Sequence, residues 1–425
     1  MKLVQKLVAS AAFAALCVPM AAMAQEAPVK IGVVSFLSGP AASPFGVPAR
    51  NAAEIMFEMV NGGKVPAPYA TKGFGGAPLK MQLVDESGGT TTQVTEFRNL
   101  VQRENVDMVI GYISSGSCLG IAPVAEELKK LTVFFDCGTP RIFEEASYKY
   151  VFRTAATATM DSVGAALYIK DLKPKAKEIA GINQNYAWGQ DSWGDFELSM
   201  KEIMPGIKVA TSQMPKLFAG QYNAEISTLL SSKADVIHSS LWGGDLEAFI
   251  LQAGPRGLFK RSTVILTTGE TAMYKLASHI PDGVVIGARG PYGPYAPNNA
   301  LNKWFSATFQ DRYGVPPNYA AYQMAQAILG TKAAWEKAQA ANGGKRPDID
   351  QVIAAFEHLT FESPAGEVRM AIGNGHQAIT ETAYGVTKKV GGKMTVANVK
   401  RYPAEMVNPP DGVKAADWIK SGFKK

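Results

Sequence analysis

The sequence predicts an exported α/β protein with two lobes, and three observations carry this prediction. An N-terminal segment has the pattern of a removable export signal. Directly after it, apolar segments of strand length end in short turns that lead into amphipathic helices, an alternation typical of βαβ units and parallel sheets. The alternation runs in two series, and 425 residues are enough to build two sizeable cores.

The export signal is predicted at Met1–Ala24. Its basic start, apolar centre and A-x-A cleavage site lie at Lys2 and Lys6, Leu7–Val18 and Ala22–Ala24. The apolar run is too short for a lasting transmembrane helix. Leu16 argues against lipid attachment at Cys17, because a lipid-modified signal requires a small residue at that position. We therefore expect a mature protein that begins near Gln25, resides in the periplasm and has no membrane anchor.

The composition excludes several classes of partner and cofactor. The formal charge of +6 falls to +4 once Lys2 and Lys6 are removed, and the remaining basic residues are scattered. Neither nucleic acid nor an acidic membrane is therefore an expected partner. Only Cys118 and Cys137 follow the signal, too few for a disulfide scaffold. The four histidines show no metal-ligand spacing, so we expect neither a metal nor another cofactor.

The first series of elements begins directly after the signal. Its predicted strands are Val29–Phe36, Lys80–Val84, Asp107–Ile113, Thr132–Phe135 and Val151–Arg153. Its predicted helices are Pro48–Val60, Thr92–Arg103 and Leu119–Lys129. Asn61–Ala77 contains prolines and glycines that break the alternation, which predicts an excursion between the first helix and the second strand.

The second series predicts a second parallel sheet. Its predicted strands are Glu178–Ile182, Val209–Met214, Asp235–Ser239, Val264–Thr268 and Val284–Ala288, with helical segments between them. No low-complexity segment or long linker divides the two series. The chain is therefore expected to cross between the lobes at short hinges near Arg153, Arg289 and Gly373.

Function is expected at the turns that follow the strands, because ligands of open α/β sheets bind at the carboxyl ends of the strands. The turn Ser114–Cys118 supplies hydroxyl and backbone N–H groups at a helix start, which suits either a ligand carboxylate or simple N-capping. Cys137–Thr139 offers a second hydroxyl and an approachable backbone, or else a turn with a buried thiol.

Three further residues follow strands of the second series. Glu270 stands where its carboxylate would meet a ligand cation or cap the next helix. Trp188 and Trp242 each lie in a turn beside glycine, where an indole either walls a pocket or packs in the core.

At these turns the chain resembles the leucine/isoleucine/valine-binding protein family, the periplasmic solute receptors of ABC importers. The resemblance is carried by Val33–Pro40, Phe45-Gly46, Val109–Ser115, Tyr186–Gly189 and Gly269-Glu270, in order within Val29–Lys388. It implies a type I periplasmic binding protein with two Rossmann-like lobes, parallel central sheets and three hinge crossovers. The first lobe would comprise residues 28–154 and 290–373, and the second residues 155–289 and 374–425. The ligand would be held between the closing lobes of a monomer and passed to a membrane permease.

The resemblance also implies roles for individual residues. Ser115 and Thr139, with the backbone of Cys137, would bind the α-carboxylate of an amino acid, and Glu270 would pair with its ammonium group. The side chain would be enclosed by Phe45, Trp188, Trp242 and one tyrosine of the Tyr319–Tyr322 region. Tryptophans stand where smaller tyrosines are usual in the family. The expected ligand is therefore a branched-chain, larger apolar or aromatic amino acid, or a related amide.

Two alternatives come from the same residues. Gly116–Gly120 matches a G-x-C-x-G elbow, which would expose Cys118 as the nucleophile of a hydrolase. None of His238, His279, His358 and His376 lies in a partner motif, so we expect no enzyme activity. The other alternative is a periplasmic sensor for a small organic or aromatic acid that uses the same pocket.

Overall fold

The computed structural model describes residues 26–424, which form two α/β lobes around two separate sheets. The strands in chain order are β1 (Val29–Ser35), β2 (Leu79–Asp85), β3 (Met108–Gly111), β4 (Thr132–Phe134), β5 (Val151–Arg153), β6 (Glu178–Ile182), β7 (Lys208–Gln213), β8 (Val236–Ser239), β9 (Thr263–Leu266), β10 (Val285–Gly287), β11 (Thr360–Ser363), β12 (Gly366–Ile372), β13 (Gln377–Ile379), β14 (Thr382–Val390) and β15 (Lys393–Tyr402).

The helices of residues 26–424 alternate with these strands over most of the chain. They are α1 (Val47–Gly62), α2 (Gly89–Gln102), α3 (Ser115–Glu127), α4 (Arg141–Glu144), α5 (Ala158–Leu172), α6 (Ala187–Ile203), α7 (Asn223–Ser232), α8 (Gly244–Ala253), α9 (Leu258–Arg261), α10 (Glu270–Met273), α11 (Ala300–Tyr313), α12 (Tyr319–Ala341), α13 (Ile349–Phe356), α14 (Ala404–Val407) and α15 (Ala415–Lys420). A π-helical turn at Ala42–Gly46 leads into α1.

The first sheet has eight strands in the order β11-β12-β13-β5-β4-β3-β1-β2. Strands β1 to β5 are parallel to one another. In β1 every residue except Lys30 is buried, because apolar side chains on both faces are covered by helices. The strand order reverses between β1 and β3, which opens a crevice at the carboxyl ends of these strands.

The second sheet has seven strands in the order β15-β14-β10-β9-β8-β6-β7. Strands β6 to β10 are parallel, and the order reverses between β6 and β8. The C-terminal helices α14 and α15 pack against α5 and α6, so the end of the described chain belongs to this lobe.

The predicted parallel central sheets are confirmed, and each sheet also has antiparallel strands that were not predicted. The predicted strands form the parallel part of each sheet. An antiparallel hairpin, β11–β12 in the first sheet and β14–β15 in the second, extends each sheet at one edge. Edge strands need only partial burial. β15 is mostly exposed or half-buried and therefore lacks the continuous apolar run that marks a central strand.

The chain crosses between the sheets at three short segments. The first is residues 154–157, between β5 and α5, and the second follows β10 at residues 288–292. The predicted third boundary at Gly373 precedes β13, which still pairs with β12 and β5 in the first sheet. Sheet pairing therefore puts the third crossover at residues 380–381, because the chain turns back after β12 to add one more strand beside β5.

The excursion predicted at Asn61–Ala77 packs on α12. Phe74 lies 6.0 Å from Trp335 between ring centroids, and the Lys332 ammonium donates to the Gly73 carbonyl at 2.6 Å. Lys332 lies 13 residues along α12 from Tyr319. At 1.5 Å per residue this is about 20 Å from the helix end that faces the cleft, so the excursion stabilises the outer part of the first lobe.

Within residues 26–424, no helix combines the length and apolar character that crossing a membrane requires. The predicted export signal, Met1–Ala24, lies outside the described residues.

The two lobes meet in a closed cleft. Trp188 and Trp242 of the second lobe belong to the same buried apolar cluster as Phe45 and Tyr319 of the first. The backbone N–H of Gly244 also donates to the Pro40 carbonyl across the cleft at 2.9 Å.

Candidate functional site

The cleft contains a narrow cavity, with about 230 Å³ of space between its lining atoms, part of which is open to solvent. Its walls come from turns after the parallel strands of both sheets, from the hinge after β10 and from the start of α12. The lining residues are Phe45, Ile113, Ser115, Asp136, Gly138, Tyr186, Trp188, Trp242, Thr268, Arg289 and Tyr319. The structure thus brings together five of the eight residues predicted from the sequence, namely Phe45, Ser115, Trp188, Trp242 and Tyr319.

Aromatic rings form most of the wall. The Phe45 ring lies 5.3 Å from the Trp242 ring and 5.3 Å from the Tyr319 ring, both edge to face. The indole N–H of Trp188 donates to the Ser240 carbonyl at 2.8 Å, and that of Trp242 donates to the Tyr186 hydroxyl at 2.8 Å. Because both N–H groups are bonded to the protein, the indoles offer a solute their apolar rings.

Ser115 joins two turns of the first lobe. Its Oγ accepts from the backbone N–H groups of Gly138 at 3.2 Å and Thr139 at 3.1 Å. The Ser115 hydroxyl proton is left to donate into the cavity. The N-capping alternative is not what the structure shows, because the N-cap residue Ser114 makes no side-chain capping bond.

A buried carboxylate that the sequence interpretation missed holds this turn in place. Glu86 follows β2, and its two oxygens accept from the backbone N–H groups of Ile113 at 2.8 Å and Ser114 at 2.9 Å. Complete burial raises the pKa of Glu86 to about 8, although these hydrogen bonds oppose the rise. The feature of the sequence that could have revealed Glu86 is an acidic residue directly after an apolar strand.

A guanidinium and a carboxylate provide the charges of the cavity wall. Arg289 Nη1 donates to the Asp136 carbonyl at 2.9 Å and also contacts Asp136 Oδ1. Arg289 Nε donates to Asp161 at 3.2 Å, and Nη2 donates to the Ala156 carbonyl at 3.0 Å. Of its five N–H groups, one on Nη2 is left without a partner among the described residues. The guanidinium lies 4.5 Å from the centroid of the Trp188 ring.

The two acids beside Arg289 are strongly perturbed. Burial raises the pKa of Asp136 to about 6 and that of Asp161 to about 7, and the positive charge of Arg289 limits both rises. Asp136 Oδ2 is buried and has no hydrogen-bond partner within residues 26–424. Two of the lining residues, Arg289 and Asp136, thus have a donor and an acceptor without a partner among the described residues.

Gly138 permits this arrangement. A Cβ atom at this position would lie 2.6 Å from Arg289 Nη2 and would also collide with the Trp188 ring. Only glycine allows the guanidinium and the indole to approach the turn after β4 so closely.

Cys137 and Thr139 do not line the cavity. Cys137 forms a disulfide with Cys118, which ties the turn after β4 to α3. The disulfide also leaves Cys118 without the free thiol that the hydrolase alternative requires. The Thr139 hydroxyl donates to Asp191 of the second lobe at 2.6 Å, so it bonds across the cleft.

Glu270 is likewise absent from the cavity wall. Its Oε2 accepts from the backbone N–H of Tyr319, the first residue of α12, at 3.0 Å. Burial raises the pKa of Glu270 to about 7, and the hydrogen bond from Tyr319 opposes the rise. The carboxylate predicted to meet the ligand ammonium thus joins the second lobe to the first.

Arg289, Asp136 and Tyr186 were not predicted as site residues. Arg289 was considered only as a hinge residue, although a charged residue directly after an apolar strand was a usable signal. Among residues 26–424, no group of three or more histidine, cysteine, aspartate or glutamate residues is placed to hold a metal ion.

Two sheets with strand-order reversals face a shared cavity, and ligands of open α/β sheets bind at such reversals. The family model of the periplasmic binding proteins matches residues 28–393, and the chain belongs to this family.

Several known proteins are similar to this chain. Leu/Ile/Val-binding protein homolog 4 of Brucella melitensis is 24% identical over 383 residues, covering 87% of this chain and 86% of its own. A solute-binding protein of an ABC transporter from Rhodopseudomonas palustris, solved with 3,4-dihydroxybenzoic acid, has a TM-score of 0.75 at 21% identity, covering 89% of this chain and 98% of its own. A leucine-binding protein from Thermotoga maritima has a TM-score of 0.72 at 19% identity, with coverage of 87% and 98%.

Proposed function

We propose that this protein is the solute-binding component of an ABC importer in the periplasm. It captures an amino acid with a branched, larger apolar or aromatic side chain, closes around it and delivers it to a membrane permease. Support comes from the family, whose members include receptors of this kind, and from the closed cleft.

The observation that carries the choice of ligand is the charge pattern of the cavity. Arg289 Nη2 and the Ser115 hydroxyl would donate to the α-carboxylate, and Asp136 Oδ2 would accept from the ammonium group. A zwitterion matches both spare groups at once, whereas a simple acid leaves a buried carboxylate oxygen unpaired. The five aromatic rings would enclose the side chain.

An aromatic acid is the second candidate, because neighbours from Rhodopseudomonas palustris were solved with 4-hydroxybenzoate and benzoate. The aromatic walls suit such a ring, and Arg289 would pair with its carboxylate. This ligand would require Asp136 to be protonated, which its pKa of about 6 favours only in mildly acidic solution.

Calorimetry with matched ligands separates the two candidates. L-leucine and L-phenylalanine are compared with their deaminated analogues, 4-methylpentanoate and 3-phenylpropanoate, and with 4-hydroxybenzoate. We expect the amino acids to bind at least about 10-fold more tightly than the analogues, because the analogues lack the ammonium group that would pair with Asp136.

Asp136→Asn tests the assigned partner of the ammonium group. It should weaken binding of the amino acids by about 2–5 kcal/mol, the range for breaking one side of a buried charged pair. It should not weaken binding of the deaminated acids, which then face a less negative wall. Asp311→Asn, on the exposed surface of α11, is the matched control. Equal or tighter binding of the acids by the original protein would overturn the amino-acid proposal in favour of an aromatic-acid receptor.

Delivery to a permease is tested in the host. Deletion of the protein should abolish high-affinity uptake of the amino acid that calorimetry identifies, and Asp136→Asn should reduce it. Uptake that is unchanged while a cellular response to the amino acid is lost would favour the sensor instead.

A further inference from the structure

The segments that lead into four parallel strands of the second sheet enclose a hollow at the pole of this lobe. They precede β6, β8, β9 and β10, which are neighbours in the sheet. The hollow has about 1000 Å³ of space between its lining atoms, part of which is open to solvent. The cleft faces the carboxyl ends of the same strands. The four residues of β8, at about 3.3 Å each, therefore place the hollow about 13 Å beyond the cleft ends of the strands.

The lining of the hollow is strongly basic. Five cationic side chains take part in it, namely Lys173, Lys175, Lys233, Lys260 and Arg261. All five are exposed, and none of them forms an ion pair among the described residues. One carboxylate, Asp235, also lies in the wall, and its Oδ2 accepts from the backbone N–H groups of Lys177 at 2.7 Å and Glu178 at 3.1 Å. Five positive charges and one negative charge give the lining a formal net charge of +4.

This charge equals the whole excess of positive charge of the mature chain. Without Lys2 and Lys6 the formal charge of the protein is also +4, so the residues outside the hollow have equal numbers of positive and negative side chains. The basic residues are scattered along the sequence, but the fold collects five of them from three segments at one pole. Like charges held close together repel one another and oppose folding. An anionic partner would remove this repulsion.

The size and the apolar part of the hollow limit the kind of partner. A water molecule occupies about 30 Å³, so the hollow is far larger than one small anion requires. Leu172 and Ala176 in its wall are half-buried, and Phe259 is 8% exposed, so apolar contacts are available beside the charges. A concave surface receives a protruding chain, whereas the broad face of a bilayer would reach only its rim.

We propose that this hollow is the docking site for an acidic segment of a partner protein, in which several Asp or Glu side chains project from an exposed chain. The carboxylates would pair with the five cations, and the chain between them would contact Leu172 and Phe259. The lining residues all flank strands of the second sheet, so rotation of the lobes as rigid bodies leaves the hollow unchanged. The inference goes beyond the proposed function and does not depend on which solute the cleft binds.

A fluorescently labelled hexaglutamate peptide tests the docking site by anisotropy, with hexaglutamine as its neutral counterpart. In about 0.1 M salt we expect only hexaglutamate to bind, and more salt should weaken it because exposed charges are screened. The combined variant Lys173→Gln, Lys233→Gln and Lys260→Gln removes three of the five cations. It should weaken hexaglutamate binding by about 3- to 150-fold, since one exposed ion pair contributes about 1.4- to 5-fold in affinity.

A matched variant controls for net charge. Lys64→Gln, Lys303→Gln and Lys345→Gln together remove the same number of charges from exposed positions of the first lobe. This variant should change hexaglutamate binding by less than about 2-fold, because charges farther away than the Debye length are largely screened. Thermal unfolding should be the same for both variants and the original protein, because none of the six lysines forms an ion pair or a side-chain hydrogen bond among the described residues.

The docking site is overturned if hexaglutamate does not bind or if the two variants weaken it equally. Displacement of hexaglutamate by an equal concentration of inorganic phosphate would reduce the hollow to a site for a small anion. Vesicles of phosphatidylcholine and phosphatidylglycerol that bind more tightly than the peptide, and lose binding in the hollow variant alone, would assign it to a membrane surface instead. None of these results bears on the proposed function, which is tested by solute binding.

Discussion

Truncation of Glu270 to alanine should weaken amino-acid binding without lowering the thermal stability of the empty, open protein. Its carboxylate belongs to the second lobe and accepts from Tyr319 N–H of the first, so we expect separation of the lobes to break this hydrogen bond. A change at this position therefore alters the equilibrium between open and closed forms, and ligand affinity with it.

The magnitude follows from the burial of this hydrogen bond. Glu270 is 2% exposed, and its removal leaves the Tyr319 N–H without its acceptor in the closed form. An unsatisfied buried donor costs about 1–3 kcal/mol, which corresponds to roughly 5- to 150-fold in affinity. Glu270→Gln keeps an acceptor oxygen at the same place and should change affinity by less than about 5-fold near pH 5, where the raised pKa of the carboxyl group has little effect.

Calorimetry with leucine on both variants, together with thermal unfolding in the absence of ligand, measures these effects. The family resemblance implied another role, in which Glu270 pairs with the ligand ammonium. In that case Glu270→Gln itself would cost about 2–5 kcal/mol for leucine and little for 4-methylpentanoate. Such a result would refute the reasoning from the structure and restore Glu270 as the ammonium site.

Three other perturbations have expected outcomes. Replacing Cys118 and Cys137 with alanine should lower the free energy of unfolding by about 3 kcal/mol in urea denaturation, given a sequence separation of 19 residues, and a reductant should destabilise only the original protein. Burial raises the pKa of Glu270 to about 7, so we expect a closed form to bind this proton more tightly than an open form in which the carboxyl group is solvated. The leucine affinity of the original protein, divided by that of Glu270→Gln, should therefore fall as the pH rises from 5 to 8. Asp136 titrates in both proteins, so its effect cancels in this ratio. A ratio that stays constant would contradict the pKa shift of Glu270. Trp188→Ala should weaken leucine binding at least about 10-fold in calorimetry because the ring under Arg289 is lost, and normal binding would make this tryptophan ordinary packing.

The parallel core of each sheet was predictable because its strands are short apolar runs bounded by turn residues. β5 and β6 have the same bounds as predicted. The hairpins at the edges were not predicted, since a strand such as β15 is half exposed and mixes charged with apolar residues. Its identity as a strand depends on pairing with β14, a contact between neighbouring segments that apolar periodicity does not reveal.

The aromatic part of the site was also accessible from the sequence, and the charged part was not. Trp188, at the start of α6, and Trp242, in the turn after β8, both follow the carboxyl end of a strand, which is the side of the sheet that faces the cleft. Arg289 and Asp136 form a pair only because two crossovers bring the hinge after β10 against the turn after β4. The direction of a carboxylate such as Glu270 depends on which backbone N–H group comes closest in three dimensions, and no motif encodes that.

Thr139 and Glu270, to which the resemblance gave ligand-binding roles, form hydrogen bonds between the lobes in this structure. Thr139 and Arg141 both bond to Asp191 across the cleft, at 2.6 Å in each case, and Glu270 binds the start of α12. These bonds stabilise the closed form without any contribution from the solute. Because a ligand shifts an equilibrium only by its difference in affinity for the two states, a protein that already favours closure needs less from its ligand. Under the proposed function, these bonds between the lobes would let a solute with few polar groups complete the closure.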